Sequence, residues 1–304
     1  MAGRPSLLRI RSRSGAFVAL GVLTVVWGFT WIALKVGLSH TDAVSFTVHR
    51  SVLGLVVMFA ILLLQRKPLR PPPWTAVLVT GLFQTTLNFG GTALALTTGG
   101  GAGRTSVLVF TMPFWTLLLA WPIFQERIRG SQWVAIFLAL AGLVLVVDPV
   151  HWSGSLTPKL WAVLSGIGWA GGTIAMKYFG RDRDRDLDLI NFVAWQMLVG
   201  SIPFFIVPLV HELPPTQWSL SYCVALFAVA VLSSALAFVV WVEILRFLPA
   251  GTASLNTFAV PVIALLSSMV IFGEHLAANE WAGITCIGAG LAVLTVRALR
   301  MRRG

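Results

Sequence analysis

Stretches of apolar residues long enough to cross a bilayer follow one another through almost the whole chain, and nothing else constrains its fold as strongly. A spanning helix needs about 20 predominantly apolar residues. Runs of that kind occupy 16–38, 43–64, 74–97, 102–124, 131–148, 159–179, 189–210, 218–244, 250–272 and 279–297 of the 304 residues. Lipid offers no water to satisfy backbone N–H and C=O groups, so each run must close its hydrogen bonds internally as a helix. The expected fold class is therefore an all-α membrane protein of ten transmembrane helices, with tails at 1–15 and 298–304 and no soluble domain. A mean hydropathy of +0.85, with only 11% charged residues, excludes an ordinary soluble enzyme or binding domain of this length.

The net charge of +11 would suggest a nucleic-acid partner in a soluble protein. Here the cations sort by side instead. With the N-terminus in the cytoplasm, 18 of the 22 Lys and Arg residues fall in the tails or cytoplasmic loops, against Lys35, Arg104 and Lys159 outside and Arg50 within a span. The positive-inside rule accounts for the basicity and puts both termini in the cytoplasm. The first apolar run is of spanning length and lacks a small-residue cleavage site, which makes it a retained helix rather than a signal peptide. Cys223 and Cys286 both lie in predicted spans, so neither a disulfide framework nor a cysteine metal site is expected. The block "RDRDRDLD" at Arg181 to Asp188 reads as a solvated loop.

The chain also repeats itself. "WGFTWIALK" at Trp27 to Lys35 returns as "WAGGTIAMK" at Trp169 to Lys177, 142 residues later. Phe46 and Arg50 meet Phe192 and Gln196 at a shift of 146. "FTMP" at Phe110 to Pro113 meets "FAVP" at Phe258 to Pro261, and "IFQE" ending at Glu126 meets "IFGE" ending at Glu274, both at 148. Each copy holds five spans, so the repeats divide the chain at 16–150 and 151–297. An odd number of spans starts a unit on one side and ends it on the other. The second copy must then sit inverted, the architecture of many secondary transporters, with a site near the midplane where the halves meet.

Five plus five helices, the Trp-to-Lys word opening each half, a Pro in each fourth span and "IF(x)E" at its end resemble the EamA domains of the drug/metabolite transporter superfamily. The resemblance covers roughly 16–297. It implies an exporter of small metabolites in a bacterial inner membrane, with a central cavity built from spans 1, 3, 4, 6, 8 and 9, similar to exporters of aromatic and neutral amino acids of the YddG type. Alternating access around that cavity is the expected mechanism. A multidrug or nucleotide-sugar-like carrier of the same superfamily is the alternative.

Polar side chains within spans are costly and face the bundle interior. Gln84 and Asn88 share one face of the third span, with Thr85 and Thr92 beside them. Amides donate and accept, which suits a zwitterion, though they also serve as interhelical glue. The eighth span offers Ser233, Ser234, Phe238 and Trp241, and the ninth Asn256 and Thr257. Trp27, Trp31, Trp115 and Trp169 lie deep enough to line a cavity or to pack as ordinary core, with Phe110 and the word residues Thr30 and Thr173 taken as substrate-binding candidates beside them. Trp74, Trp133, Trp152, Trp161, Trp218 and Trp281 fall at span ends, as an interfacial belt would.

Pro113 and Pro261 are expected to free the carbonyls of Val109 and Thr257, either as hinges beside the cavity or as static kinks. Lys35 and Lys177 end the repeated word on opposite faces, as snorkelling anchors or as gating contacts. Arg50 reads either as a structural cation or as a holder of a substrate carboxylate, and His49 is its titratable neighbour. No acid lies at mid-span, which argues against proton-driven antiport of cationic drugs, and no paired carboxylates or metal-spaced ligands suggest an intramembrane enzyme. The expected partners are a small-molecule substrate and the bilayer, without cofactor, metal or nucleic acid. Ala282, Cys286 and Gly290 form a small-residue stripe, compatible with a monomer or a weak homodimer.

Overall fold

The computed structural model describes residues 10–99, 102–128, 130–147, 155–180, 188–273, 275 and 277–300. Among them every regular element is helical. In chain order these are α1 (Arg13–Leu38), α2 (Ala43–Leu64), α3 (74–97), α4 (Ala102–Val109 and Met112–Phe124), α5 (Gln132–Val147), α6 (Leu156–Gly180), α7 (Leu189–Val210), α8 (Leu220–Leu245), α9 (Ala250–Asn256 and Ala259–Phe272) and α10 (Ala278–Arg300). By length and hydropathy α1, α2, Thr105–Phe124 of α4, α7, α8 and α9 each suffice to cross a membrane, and Gln132–Val146 is a shorter apolar helix. The expected boundary at 150/151, the charge block at 181–187, Arg104's side chain, Asp148, Trp152 and Glu274 lie outside the described residues or side chains.

Repeat-related helices are mates, and three mate pairs pack on one another: α2 on α7, α4 on α9 and α5 on α10. Each pair runs antiparallel. Along α5 and α10, a Cβ on Gly290 would meet the Ala135 carbonyl at 3.0 Å, while one on Gly142 would meet the Gly283 carbonyl at 2.6 Å, so rising numbers on one helix oppose falling numbers on the other. Between α2 and α7, Gly54 lies against Met197 and Lys67 pairs with Asp188 at 2.6 Å. Between α4 and α9, Phe114 meets Phe258 with ring centroids 5.3 Å apart and Glu126 reaches Ala250. Three further couples are symmetric, α3 on α6 with α8 on α1, α3 on α7 with α8 on α2, and α4 on α6 with α9 on α1. Mates that cross a common axis in opposite senses are related by a two-fold, which makes the repeat inverted.

Local chemistry repeats too. Asp42 caps α2 by accepting from Val44 and Ser45 N–H groups, and its mate Asp188 caps α7 through Ile190 and Asn191. The α3 helix passes through a π turn at Gly81–Leu87, and its mate α8 through one at Ala228–Leu236. Helices α4 and α9 break at 110–111 and 257–258, turns that share the mates Phe110 and Phe258, and end at left-handed residues, Gln125 and Gly273. The small-residue stripe of α10 divides: Gly290 is buried against α5, while Ala282 is exposed and Cys286 half-buried.

Candidate functional site

The two π turns carry the polar residues of the centre. Wide turns of this kind are rare and recur at functional sites, because the extra residue re-aims the side chains beyond it. In α3 the turn holds Gln84 and Thr85, and in α8 it holds Ser233 and Ser234, all buried.

Between them the aromatic rings of both halves meet. The mates Trp27 and Trp169 lie edge to face, with centroids 4.9 Å apart and planes at 86°. Trp241 completes the cluster at 5.3 Å from Trp27 and 5.9 Å from Trp169. Phe238 stands 5.9 Å from Trp169, and Phe89 extends the row at 5.9 Å from Phe238. Each such pair contributes about 0.5–1.5 kcal/mol beyond its buried area. Hydrogen bonds fix two of the indoles: Trp27 Nε1 donates to the Ser233 carbonyl at 3.0 Å, and Trp241 Nε1 to Thr173 Oγ1 at 3.1 Å. Thr30 Oγ1 lies 2.5 Å from Ser233 Oγ. Trp169 Nε1 is buried without a partner.

Helix α3 presses on α6 where α6 has glycines. A Cβ at Gly168 would stand 2.8 Å from the Asn88 nitrogen, and one at Gly172 would stand 2.1 Å from Gln84 Oε1. This close approach locks Asn88 to Ser165, whose Oγ donates to the Asn88 carbonyl at 2.8 Å and accepts from Asn88 Nδ2 at 3.2 Å. Asn88 is thus interhelical glue. Gln84, one turn earlier, is fully buried and neither amide atom has a partner. An unmade buried hydrogen bond costs about 1–3 kcal/mol, so a retained orphan of this kind calls for an explanation. Thr85 Oγ1 donates to Gln196 Oε1 on α7 at 3.1 Å.

Arg50 reaches the same centre from α2. Its guanidinium carbon lies 3.6 Å from the centre of the Phe89 ring, and Nη2 donates to Ser234 Oγ at 2.7 Å. Inserting an Arg at mid-bilayer costs about 2.5–3.5 kcal/mol, of which the stack on Phe89 returns about 0.5–2 kcal/mol.

Other expected residues stand apart from this cluster. Trp31 pairs with Phe110 at 6.0 Å, and Trp115 is half-buried, bonded to Thr111 on its own helix. Asn256 bonds back to Thr252. Each proline occupies the first turn of a new helical piece, where a missing N–H leaves little unsatisfied. The carbonyl of Thr257 is not freed, because Val260 N–H donates to it at 2.9 Å, and the Val109 carbonyl packs against Gly166 of α6. Trp74, Trp133, Trp218 and Trp281 are exposed, as a membrane belt requires. Phe89 and Ser165 escape a reading of the sequence, since one looks like any core aromatic and the other like any small helix residue. Ser165 has one signal, its place one turn before Trp169 on the same helix face.

At one end of the bundle Lys177 Nζ pairs with Glu126 Oε1 at 2.9 Å, donates to the Leu248 carbonyl at 2.8 Å and lies over the Phe124 ring. At the opposite end its mate Lys35 lies over Phe272, the mate of Phe124, at 4.3 Å. The Lys-on-Phe contact is therefore built twice, once at each end of the bundle.

The family model described as "EamA-like transporter family" matches twice, at residues 13–148 and 157–296. The chain is 28% identical to a "Probable amino-acid metabolite efflux pump" of Salmonella typhimurium over 304 residues, covering 96% of this chain and 98% of that protein. It is 26% identical to "Uncharacterized transporter YoaV" of Bacillus subtilis over 290 residues, covering 91% and 96% respectively. A protein known by its crystal structure superposes with a TM-score of 0.79 at 19% identity, over 95% of this chain and 99% of its own, and so shares the fold.

Proposed function

Because the chain belongs to the EamA-like transporter family and is a multi-pass protein of the inner membrane, we propose that it exports small neutral metabolites, amino acids with apolar or aromatic side chains foremost. The observation that carries this reading is the meeting of the mates Trp27 and Trp169, with Trp241 against both, and the unpartnered amide of Gln84. Flat rings pack against an apolar side chain, while an amide with free donor and acceptor suits a zwitterion. Thr30, Thr173, Ser234 and Phe238 complete the lining, with Trp31, Phe110, Trp115, Asn256 and Thr257 along the path toward it.

The mechanism follows from the inverted halves. Ten spans with both termini in the cytoplasm place Lys177 and Glu126 at the cytoplasmic mouth and Lys35 at the outer one. Lys177 with Glu126 is the closed inner gate. Exchange of conformations between the halves opens one mouth as the other closes, and the turns before Pro113 and Pro261 are where α4 and α9 bend.

Proteoliposomes holding the purified protein should move radiolabelled neutral amino acids down their gradient, and Gln84→Ala and Trp115→Ala should each slow that flux several-fold. No flux for any of the twenty would overturn the amino-acid reading.

A further inference from the structure

Among the described residues Arg50 is a fixed cation with no ion-pair partner. Among the described residues the acids in ion pairs are Asp188, Glu126 and Glu243, and these serve Lys67, Lys177 and Arg246. The acid at the start of its own helix, Asp42, is committed to the N-cap and to the Ser45 hydroxyl in the first turn of α2. The guanidinium has one hydrogen bond, to Ser234, and its Nε is buried with no partner. Its orientation is nonetheless set. Ser234 spends its own proton on the Val229 carbonyl at 2.7 Å, a bond five residues back that only the π turn permits, and so turns a lone pair to Arg50. Phe89 fixes the plane of the fork from below at 3.6 Å. The residue remains partly accessible although both of these partners are buried inside the bundle.

We propose that Arg50 is the anion-binding residue of this carrier, holding the carboxylate of the transported molecule beside Ser234 while its apolar part lies along Phe238 and Trp169. A planar fork stacked on a ring presents its N–H groups edgewise, the geometry a carboxylate accepts in bidentate fashion. The row Phe89, Phe238, Trp169 leads from that fork to the tryptophan cluster, so charge and apolar surface are offered at the two ends of one aromatic wall. The site exists in one half only. The mate of Arg50 is Gln196, which is buried and accepts from Thr85. Recognition by charge is therefore off the two-fold, on the α2 side. The proposal rests on the reading that the chain carries small solutes, but not on their being amino acids: it makes the carboxylate, rather than the amine, the group that is read.

The test is binding to the full-length protein in a neutral detergent, followed by titration calorimetry, with two matched pairs: phenylalanine against phenylalaninamide, and 3-phenylpropionate against 3-phenylpropanamide. The second pair lacks the amine and reads Arg50 even if no amino acid is carried. The wild type should prefer the carboxylate of each pair that binds by tenfold or more. Arg50→Gln should abolish that preference, and Arg50→Lys, which keeps the charge but loses the fork and the stack, should weaken it several-fold. Should Arg50→Gln fail to fold, the wild-type preference and Arg50→Lys decide. No preference in the wild type, full preference in either folded variant, or a site that takes inorganic phosphate and ignores carboxylates would overturn the proposal. A missing amino-acid flux with a preserved preference for phenylpropionate would overturn only the amino-acid reading.

Discussion

Lys177 Nζ stands 2.9 Å from Glu126 Oε1, and the same carboxylate accepts the Ala250 and Gly251 N–H groups at 3.1 Å each. One carboxylate thus ties the end of α4, the end of α6 and the start of α9, joining the two halves at one end of the bundle. It acts as an ion-pair partner and as a helix cap at once.

Glu126→Gln keeps the shape and removes the charge, and should weaken the closed form by about 1–2 kcal/mol, from the charge-assisted bonds it loses. Since 1.4 kcal/mol is about tenfold, this shifts the balance of open and closed mouths by about an order of magnitude. Ser254 is fully buried in the first turns of α9. In a background without Cys223 and Cys286, Ser254→Cys should react about tenfold faster with an impermeant thiol reagent once Glu126→Gln is added. An unchanged rate would remove the latch.

Gln125 closes α4 with φ 55°, and its mate Gly273 closes α9 with φ 66°. A side chain in the left-handed region costs about 1–2 kcal/mol where glycine is free of that cost. Gln125→Gly should raise stability by about 1 kcal/mol and Gly273→Gln should lower it by a similar amount, read as opposite shifts of the thermal unfolding midpoint in detergent. Two shifts of the same sign would refute the argument.

A Cβ at Gly172 would stand 2.1 Å from Gln84 Oε1 and 2.8 Å from the Gln84 Cα. Backbone cannot yield as a flexible side chain can, so Gly172→Ala must push α3 away from α6, at a cost of about 1–3 kcal/mol as in other overpacked cores. Transport should fall with it, because the π turn that carries Gln84 moves. A Gly172→Ala protein with wild-type melting and flux would show the contact to be soft.

Thr85 and Gln196 are coupled across the halves by a buried bond of 3.1 Å, and Gln196 Nε2 already lacks a partner. Thr85→Val leaves the Gln196 carbonyl oxygen unsatisfied as well, costing about 1–3 kcal/mol, whereas removal of both partners is close to neutral. The double variant Thr85→Val with Gln196→Leu should therefore melt above Thr85→Val alone. Simple additivity of the two single effects would contradict the coupling.

Much of this architecture is written locally. The apolar runs place the helices to within a few residues, as with 218–244 for the helix at Leu220–Leu245. An odd count of helices per repeat implies the inversion that the antiparallel mates α2 with α7, α4 with α9 and α5 with α10 then display. The site is legible only in part. The repeated word brings forward Trp27 and Trp169, but "GLFQTTL" and "AVAVLSSAL" carry no mark of a π turn. Nor does a proline in a span reveal whether it kinks a helix or starts a new piece, which is why Pro261 frees no carbonyl at Thr257.

Transfer of apolar side chains from water is additive along the chain and needs no partner, so the sequence by itself determined the membrane as solvent, the helical segments and the two-fold relation of the halves. Close approach is decided between segments far apart in sequence. Only the tertiary structure set α3 into the glycines of α6, left the amide of Gln84 without a partner and brought Arg50 to Ser234 and Phe89. Each of those outcomes depends on which helix faces meet, and faces are chosen by packing the whole bundle at once.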